Sequence, residues 1–391
     1  MNFQGRKHNF DEKTWMRIEH LLPRLKYSVL PSQIIKWLEN FEEKEIDSAI
    51  DLLSVFEYIP FNEFMFRIDG LLFEILKDIP KGQKILIFPY GKVGKSGTLV
   101  TYPLSHTNAY INRKDDILIS HDIQFITDLH EYKTLIFIDD FIGSGQTFIE
   151  EYKKIQWIKN WKDNNQVEKT YLLSAIIMND GAQKINFFDS SIKIKAEERF
   201  KIFQNGTSPL TAYKNILSLK SISLKYGRTL NHLNSLGYSD GQSMVAFFHG
   251  TPDNTLPIIW EHIKWNPIYP RDANTRMDYA REFKQNIAFY LGVFNKLGID
   301  IFTGKSIFNK LNDRYKRKIE NNTKYAHSII ALLFLKQKGY DNIIISQLLG
   351  LTREELKRVY LEARMKGLID INYAISINGF NFLQDKKIKP N

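Results

Sequence analysis

Residues 134–147 read Thr-Leu-Ile-Phe-Ile-Asp-Asp-Phe-Ile-Gly-Ser-Gly-Gln-Thr, and the rest of the chain takes its meaning from how this stretch folds. Leu135–Ile138 is a short unbroken apolar run, the pattern of a parallel strand buried on both faces. It delivers two adjacent carboxylates, Asp139 and Asp140, to its C-terminal end. A small-residue loop follows, with a helix expected from Phe148. Gly143 and Gly145 let backbone N–H groups turn inward around a phosphate, Ser144 and Thr147 add hydroxyls at a helix N-terminus, and Gln146 of the same loop is a further candidate ligand contact. Carboxylates beside such a cradle would repel a bare phosphate. They make sense if the ligand also offers sugar hydroxyls, or a bridging Mg²⁺. A ribose 5-phosphate meets both demands.

Similar apolar runs occur at Ile85–Phe88, Ile117–Ile119, Tyr171–Met178 and Met244–Phe248, with helical stretches between them, Phe148–Trp161 being the clearest. Buried strands alternating with helices predict a doubly wound, mainly parallel α/β sheet that binds ligands beyond the C-terminal ends of its strands. Residues 13–80 instead show i, i+3, i+4 apolar spacing, broken at Pro23, Pro31 and Pro60, and predict a helical N-terminal region. The expected division is 1–80 helical, 81–280 α/β core, 281–324 helical linker and 325–391 a separate C-terminal domain.

In that last part, Ile329–Leu335 and Asn342–Leu349 read as two helices, and Gly350-Leu351 as a turn. Thr352-Arg353-Glu354-Glu355 is a capping box opening a third helix with Leu356, Val359, Tyr360 and Ala363 on its apolar face. Gly367 ends it. Leu368–Ile377 alternates apolar and polar residues and is expected to form a β-wing turning near Asn378-Gly379, which completes a winged helix-turn-helix.

The chain has 391 residues, no cysteine and a formal charge of +10. The absence of cysteine excludes disulfides, zinc ribbons, iron–sulfur clusters and cysteine nucleophiles. With no apolar run of 18 residues and no signal-peptide core near Met1, a cytoplasmic protein without membrane contact is expected. Residues 301–391 carry 17 Lys/Arg against 8 Asp/Glu, so nine of the ten net charges lie there. A basic C-terminal quarter on a neutral body points to a polyanion, nucleic acid above all. Arg353, Lys357, Arg358 and Arg364 on the third helix are the expected contacts, although Glu354, Glu355 and Glu362 lie among them; Arg314–Lys318 adds a basic strip. Winged helices also dock proteins.

The strand, acidic pair and S-G-x-T loop resemble the type I phosphoribosyltransferases (PRTases), with Asp139, Asp140, Ser144, Gly145 and Thr147 matching position by position. The wording Phe141–Gln146 is similar to PRTase-like proteins of bacterial conflict and antiphage loci, some linked to retrons, as are the helical N-terminal region and the segment Pro252–Pro257 with Trp260. The resemblance implies a ligand such as 5-phosphoribosyl-1-pyrophosphate (PRPP) or a nucleotide. Mg²⁺ would be bound through that ligand, with Asp139 or Asp140 as a protein contact, and a retron nucleic acid with its reverse transcriptase is an implied partner. It also implies that the loop Pro89–Gly97 holds pyrophosphate, with Lys92 and Lys95 as catalytic cations beside Asp139 and Asp140, and Gly91 and Gly94 as points of close approach. Arg113 and Lys114 are the candidates for a basic hood. Purine-type members place an Asp, thought to be the general base, where this chain has Gly143, which argues against purine salvage.

Three other readings share these residues. Pro89-x-x-x-x-Gly94-Lys95-Ser96 approaches a P-loop, with Leu135–Asp140 as its Walker B strand, but Pro cannot adopt the backbone conformation of the first P-loop glycine. A winged helix joined to a PRTase fold also occurs in purine repressors, which sense the ligand without turning it over. An acidic pair at a strand end can merely cap the next helix. His249, near Asp253 and Asn254, would either face the ligand from the last core strand or be a solvated loop residue at a strand end, whereas His106, His121 and His130 have no metal-ligand spacing.

Overall fold

The computed structural model describes residues 8–90, 99–121, 126, 129–154, 167–212, 215–271 and 327–385. The chain forms two compact units, 1–272 and 273–391. In the first, the helices are α1 (Glu12–Arg24), α2 (Pro31–Leu38), α3 (Ile46–Ser54), α4 (Phe61–Lys77), α5 (Thr101–Ser105), α6 (Asn108–Ile111), α7 (Gln146–Lys154), α8 (Asn179–Phe188), α9 (Ile216–Leu230) and α10 (Pro257–Trp260). The strands are β1 (Glu57–Ile59), β2 (Lys84–Pro89), β3 (Ile117–Ile119), β4 (Tyr132–Ile142), β5 (Lys169–Met178), β6 (Ile192–Arg199) and β7 (Val245–Phe247).

Five strands form one sheet in the order β3-β2-β4-β5-β6, parallel throughout. Alternation along β2 sends Ile85 and Ile87 to one face and Leu86 to the other. On the first face they meet Ile136 and Ile138 of β4 and the stripe Phe64, Ile68, Leu72 and Ile75 of α4. On the second, Leu86, Leu135, Phe137 and Leu172 are covered by Phe148 and Ile149 of α7 and Ile185 of α8. Helices on both faces make the sheet doubly wound, as expected. The chain crosses from one side of β2 to the other between β3 and β4, so a crevice opens beyond the C-terminal ends of β2 and β4.

The helical region expected over 1–80 divides. α4 packs on the sheet, while α1, α2 and α3 share a core with α9 and with Leu256, Ile258 and Trp265. The indoles of Trp37 and Trp265 both donate to the Ile258 carbonyl, at 2.7 and 2.9 Å, which locks α2 to a segment about 220 residues away. The run Met244–Phe248, expected in the main sheet, instead forms β7 and pairs with β1 in a second, two-stranded parallel sheet. Its apolar character says that it is buried but does not say beside what. β6 has no counterpart among the predicted strands. It is an edge strand whose charged residues, Lys193, Lys195, Glu197, Glu198 and Arg199, protect the exposed ladder from pairing.

Glu57 of β1 ties the two sheets together through Arg199 of β6 (2.9 Å) and Arg67 of α4 (2.6 Å). Burial would raise its carboxyl, but the Arg199 and Arg67 guanidiniums outweigh this and hold it at about 2 against an ordinary value of 4.5. A depressed carboxyl stabilises the fold fully above its unfolded value, and that stability drains away as pH falls toward 2. Glu57→Gln should therefore cost about 3 kcal/mol at neutral pH, since it leaves two half-buried guanidiniums undercompensated. The gap in thermal midpoint between variant and wild type should narrow from pH 6 to pH 3; a gap that does not change with pH contradicts this.

The second unit contains α11 (His327–Gln337), α12 (Asn342–Leu349), α13 (Arg353–Met365) and α14 (Ile377–Asp385). Thr352 and Glu355 form the capping box of α13, and Leu356, Val359, Tyr360 and Ala363 are its buried face, as the sequence predicts. Gly350 and Gly367 end α12 and α13 with φ of 60° and 69°. The wing differs from expectation. It is reduced to one antiparallel bridge, Ile369 with Ile375. Its turn is Asp370–Ala374, held by the Asp370 carboxylate accepting from the backbone N–H groups of Asn372 (2.9 Å) and Ala374 (2.8 Å). Asn378-Gly379 lies inside α14, where a Cβ at Gly379 would sit 2.3 Å from the Leu368 carbonyl. That glycine serves close packing and makes no turn. The linker expected over 281–324 lies outside the described residues.

Candidate functional site

β4 does not stop at Ile138. It continues through the acidic pair to Ile142, with Asp139 opposite Ser174 and Phe141 opposite Ile176 of β5. Adjacent strand residues point to opposite faces, so each carboxylate meets its own surroundings. Asp139 lies on the α7 side, where the Tyr90 hydroxyl hydrogen-bonds to it. Burial, then the Asp139 charge, push the Tyr90 phenol well above its usual range, so it remains a donor. Burial and the neighbouring Asp140 carboxylate likewise push Asp139 well above the usual carboxylate range, against the hydrogen bonds from the Asp140 N–H and Tyr90. Asp140 lies on the α4 side and is buried, with its Oδ2 2.6 Å from Nε2 of His249.

The loop after β4 is shaped by two glycines. Gly145 has φ of +70°, a conformation that L side chains rarely adopt. At Gly143 a Cβ would fall 2.2–2.4 Å from the carboxamide of Asn254. α7 begins directly after this loop, where the Gln146 N–H donates to the Ser144 hydroxyl at 3.4 Å, so its N-terminal N–H groups and positive dipole end face the same space. Together with the ends of β2 and β4, the loop bounds a cleft of about 790 Å³, lined by Tyr90, Asp139, Asp140, Gly143, Ser144, Gly145 and Thr147 and, opposite them, by Tyr238, His249, Thr251, Asn254 and Arg271. An anion seated on the loop would have two carboxylates within the same cleft. That combination suits a phosphate joined to a polyol, not a phosphate alone.

A family model described as PRTase-CE matches residues 34–271. The chain belongs to the PRTase-CE family. A second model, described as wHTH-PRTase associated, matches residues 330–391, which makes this a PRTase-like protein with a C-terminal winged helix, a module that suggests nucleic-acid binding. No curated protein matches the chain. Among solved structures, the AQ2163 protein from Aquifex aeolicus aligns at 10% identity and a TM-score of 0.25, over 52% of this chain and 90% of that one. A hypothetical protein from Neisseria gonorrhoeae, solved with bound ppGpp, aligns at 12% identity and 0.24, over 44% and 99%. At such scores the likeness carries nothing about function.

Within the PRTase-CE region, most residues expected at the site converge on the cleft. Gln146 is an exception on its side chain, which donates to Glu150 and accepts from Lys184, both at 2.6 Å, and is not part of the lining. Gly91, Lys92, Gly94 and Lys95 lie outside the described residues. Arg113 is no hood: it pairs with Asp116 (2.5 Å) and donates to the carbonyls of Ile79 and Pro80, before the N-terminal end of β2 and so away from the cleft. His249 is not a solvated loop residue, being enclosed by Phe64, Phe247 and Phe248. Tyr90 is a member of the site that motif reading misses. The available signal is its alternation with Leu86 and Phe88, which sets it on the face of β2 that Asp139 shares on β4. Among the described residues no group of three or more His, Asp or Glu side chains converges as a metal cage, and no helix is long and apolar enough to cross a membrane. In the associated domain, Arg353, Lys357, Arg358 and Arg364 are all exposed, with Lys357 paired to Glu354 at 2.9 Å.

The Gly143 contact bears on chemistry, because the space a side chain at position 143 would take is filled here by a neutral carboxamide. Asn254 cannot easily swing aside: its Nδ2 donates to the Tyr238 carbonyl at 2.9 Å, and the side chain packs so closely on Gly241 that a Cβ there would strike it. Gly143→Ala should cost about 1–3 kcal/mol as an overpacking change. Adding Asn254→Ala should recover part of that loss in thermal unfolding. A double variant no more stable than Gly143→Ala alone would mean that Asn254 is not what excludes a side chain.

Proposed function

We propose that the cleft binds PRPP or a related ribose phosphate with Mg²⁺, and that the protein is a cytoplasmic effector of a bacterial conflict or antiphage system addressed to nucleic acid by its winged helix. The observation that carries the ligand assignment is the joining of two carboxylates on separate supports, Asp139 on Tyr90 and Asp140 on His249, to a glycine loop at a helix N-terminus. The loop and the α7 N-terminus accept the 5-phosphate, and the carboxylates accept hydrogen bonds from ribose hydroxyls. The donor set fits Mg²⁺ held chiefly by ligand oxygens with one or two carboxylates, the usual arrangement for this ion, and Asp139 or Asp140 would supply them. Bound there, the ion would offset charge on the departing pyrophosphate.

If the protein turns PRPP over, the bond from C1′ to the pyrophosphate oxygen breaks, a bond from C1′ to the acceptor forms, and the acceptor's proton passes to a base. Lys92 and Lys95, assigned by the family resemblance, would stabilise the leaving group. The conflict-system and retron setting, with a reverse transcriptase as partner, rests on the same resemblance through Phe141–Gln146. A second reading, a PRPP sensor without turnover, is favoured by one observation: the position at which the purine-type members that the loop resembles carry a general-base Asp is Gly143, and the space beside it is taken by Asn254. Thermal shift of the full chain with PRPP and Mg²⁺, against ATP and Mg²⁺, tests the ligand assignment, and pyrophosphate release separates transfer from sensing. Stabilisation by ATP alone, with ATP hydrolysis, would return the P-loop reading.

A further inference from the structure

We infer that His249 is a positioning residue that presets the Asp140 carboxylate for the ligand; the inference rests on the ribose reading of the cleft. The imidazole stacks on Phe247 (centroids 5.4 Å apart, planes at 21°) and meets the edges of Phe248 (4.7 Å) and Phe64 (6.2 Å). A phenyl ring would suit such surroundings without leaving a polar atom to satisfy. Instead Nδ1 is buried with no hydrogen-bond partner among the described residues, which carries a desolvation cost. Asp140, through the 2.6 Å contact at Nε2, is the polar partner the ring gains in return.

The same surroundings fix the tautomer. A proton on Nδ1 would leave an N–H donor orphaned in an aromatic cage, whereas a proton on Nε2 is donated to Oδ2 of Asp140. The donated bond is charge-assisted and holds the carboxylate plane and rotamer from one side. Asp139 is held separately by Tyr90 on the other sheet face, so the orientation of each carboxylate is set before a ligand arrives. Pre-setting of this kind removes rotamer entropy that binding would otherwise have to overcome. His249 lies 109 residues from Asp140 in sequence, and the bond depends on β7 ending beside β4.

The test uses the full chain, with PRPP and Mg²⁺ titrated by calorimetry. His249→Phe keeps the ring packing and removes the donor, and should weaken binding by about 10-fold or more. His249→Gln can place an amide N–H near the position of Nε2 and should bind within about 3-fold of wild type, on the same scale of one charge-assisted hydrogen bond. Rescue by Gln is the readout that a purely structural role would not produce. If His249→Phe fails to fold, His249→Asn takes its place, since its amide is too short to reach Asp140, and Asn should bind as weakly as Gln binds well. Equal binding by wild type and the Phe variant, or equal weakness of Gln and the donor-less variant in folded proteins, overturns the inference and leaves the ribose site standing. Failure of wild type itself to bind PRPP overturns both.

Discussion

Asp139→Asn combined with Asp140→Asn is expected to abolish stabilisation by PRPP with Mg²⁺ while the unliganded protein stays folded. Asn is nearly isosteric with Asp, so packing at the end of β4 survives, but each exchange replaces one acceptor oxygen with a donor and denies the ligand the negative charge a carboxylate bears when Mg²⁺ or a ribose hydroxyl binds it. Removing two charge-assisted hydrogen bonds to the ligand together amounts to at least about 100-fold in affinity. The unliganded variant should even gain stability at neutral pH. Burial and the like charge of Asp140 raise the Asp139 carboxyl, so the wild-type fold favours the protonated form and loses stability as pH rises through the range where Asp139 ionises. An amide has no such penalty. Thermal unfolding with and without PRPP reads both effects, and a double variant that keeps the full wild-type shift would sink the ribose-site assignment.

Nucleic-acid binding should depend more on the segments flanking the winged helix than on its folded surface. Residues 327–385 hold seven Lys/Arg against six Asp/Glu, residues 301–326 seven against two, and residues 386–391 three lysines and no acid. The positive charge that points to a polyanion therefore lies mostly outside the four helices. Exchanging Arg314, Lys316, Arg317 and Lys318 for Gln should flatten the log–log salt slope on duplex DNA by about 0.9 for each phosphate no longer neutralised, and by about 0.7 on single strands. Four such phosphates together amount to a change of about 3.6 in the duplex slope, so the loss of affinity grows steeply as salt is lowered. Exchanging Arg353, Lys357, Arg358 and Arg364 for Ala should cost less, because Glu354, Glu355 and Glu362 share that helix and Lys357 is already paired with Glu354. A panel of duplex, single-stranded and RNA–DNA hybrid ligands at low salt decides the matter. No binding to any of them removes nucleic acid as the partner and turns attention to Leu361 and Met365, which are 51% and 88% exposed on the same helix, as protein contacts.

Local features of this protein are written in its sequence. Leu135–Thr147 announces a buried strand, an acidic pair and a glycine loop, because burial on both faces demands an unbroken apolar run and a phosphate cradle demands small residues. Thr352 and Glu355 announce the start of α13 because a capping box is complete within four residues. Which side chains support the chemistry emerges only from the folded chain. Strand alternation could show that Asp139 and Asp140 face opposite ways, but not that Tyr90 would meet one and His249 the other. Nor could spacing reveal that Asn254 fills the room beside Gly143, or that the apolar run at β7 pairs with β1 instead of joining the main sheet. Periodicity records how much of a segment is buried, whereas its partner depends on shape and polarity supplied by residues far away along the chain.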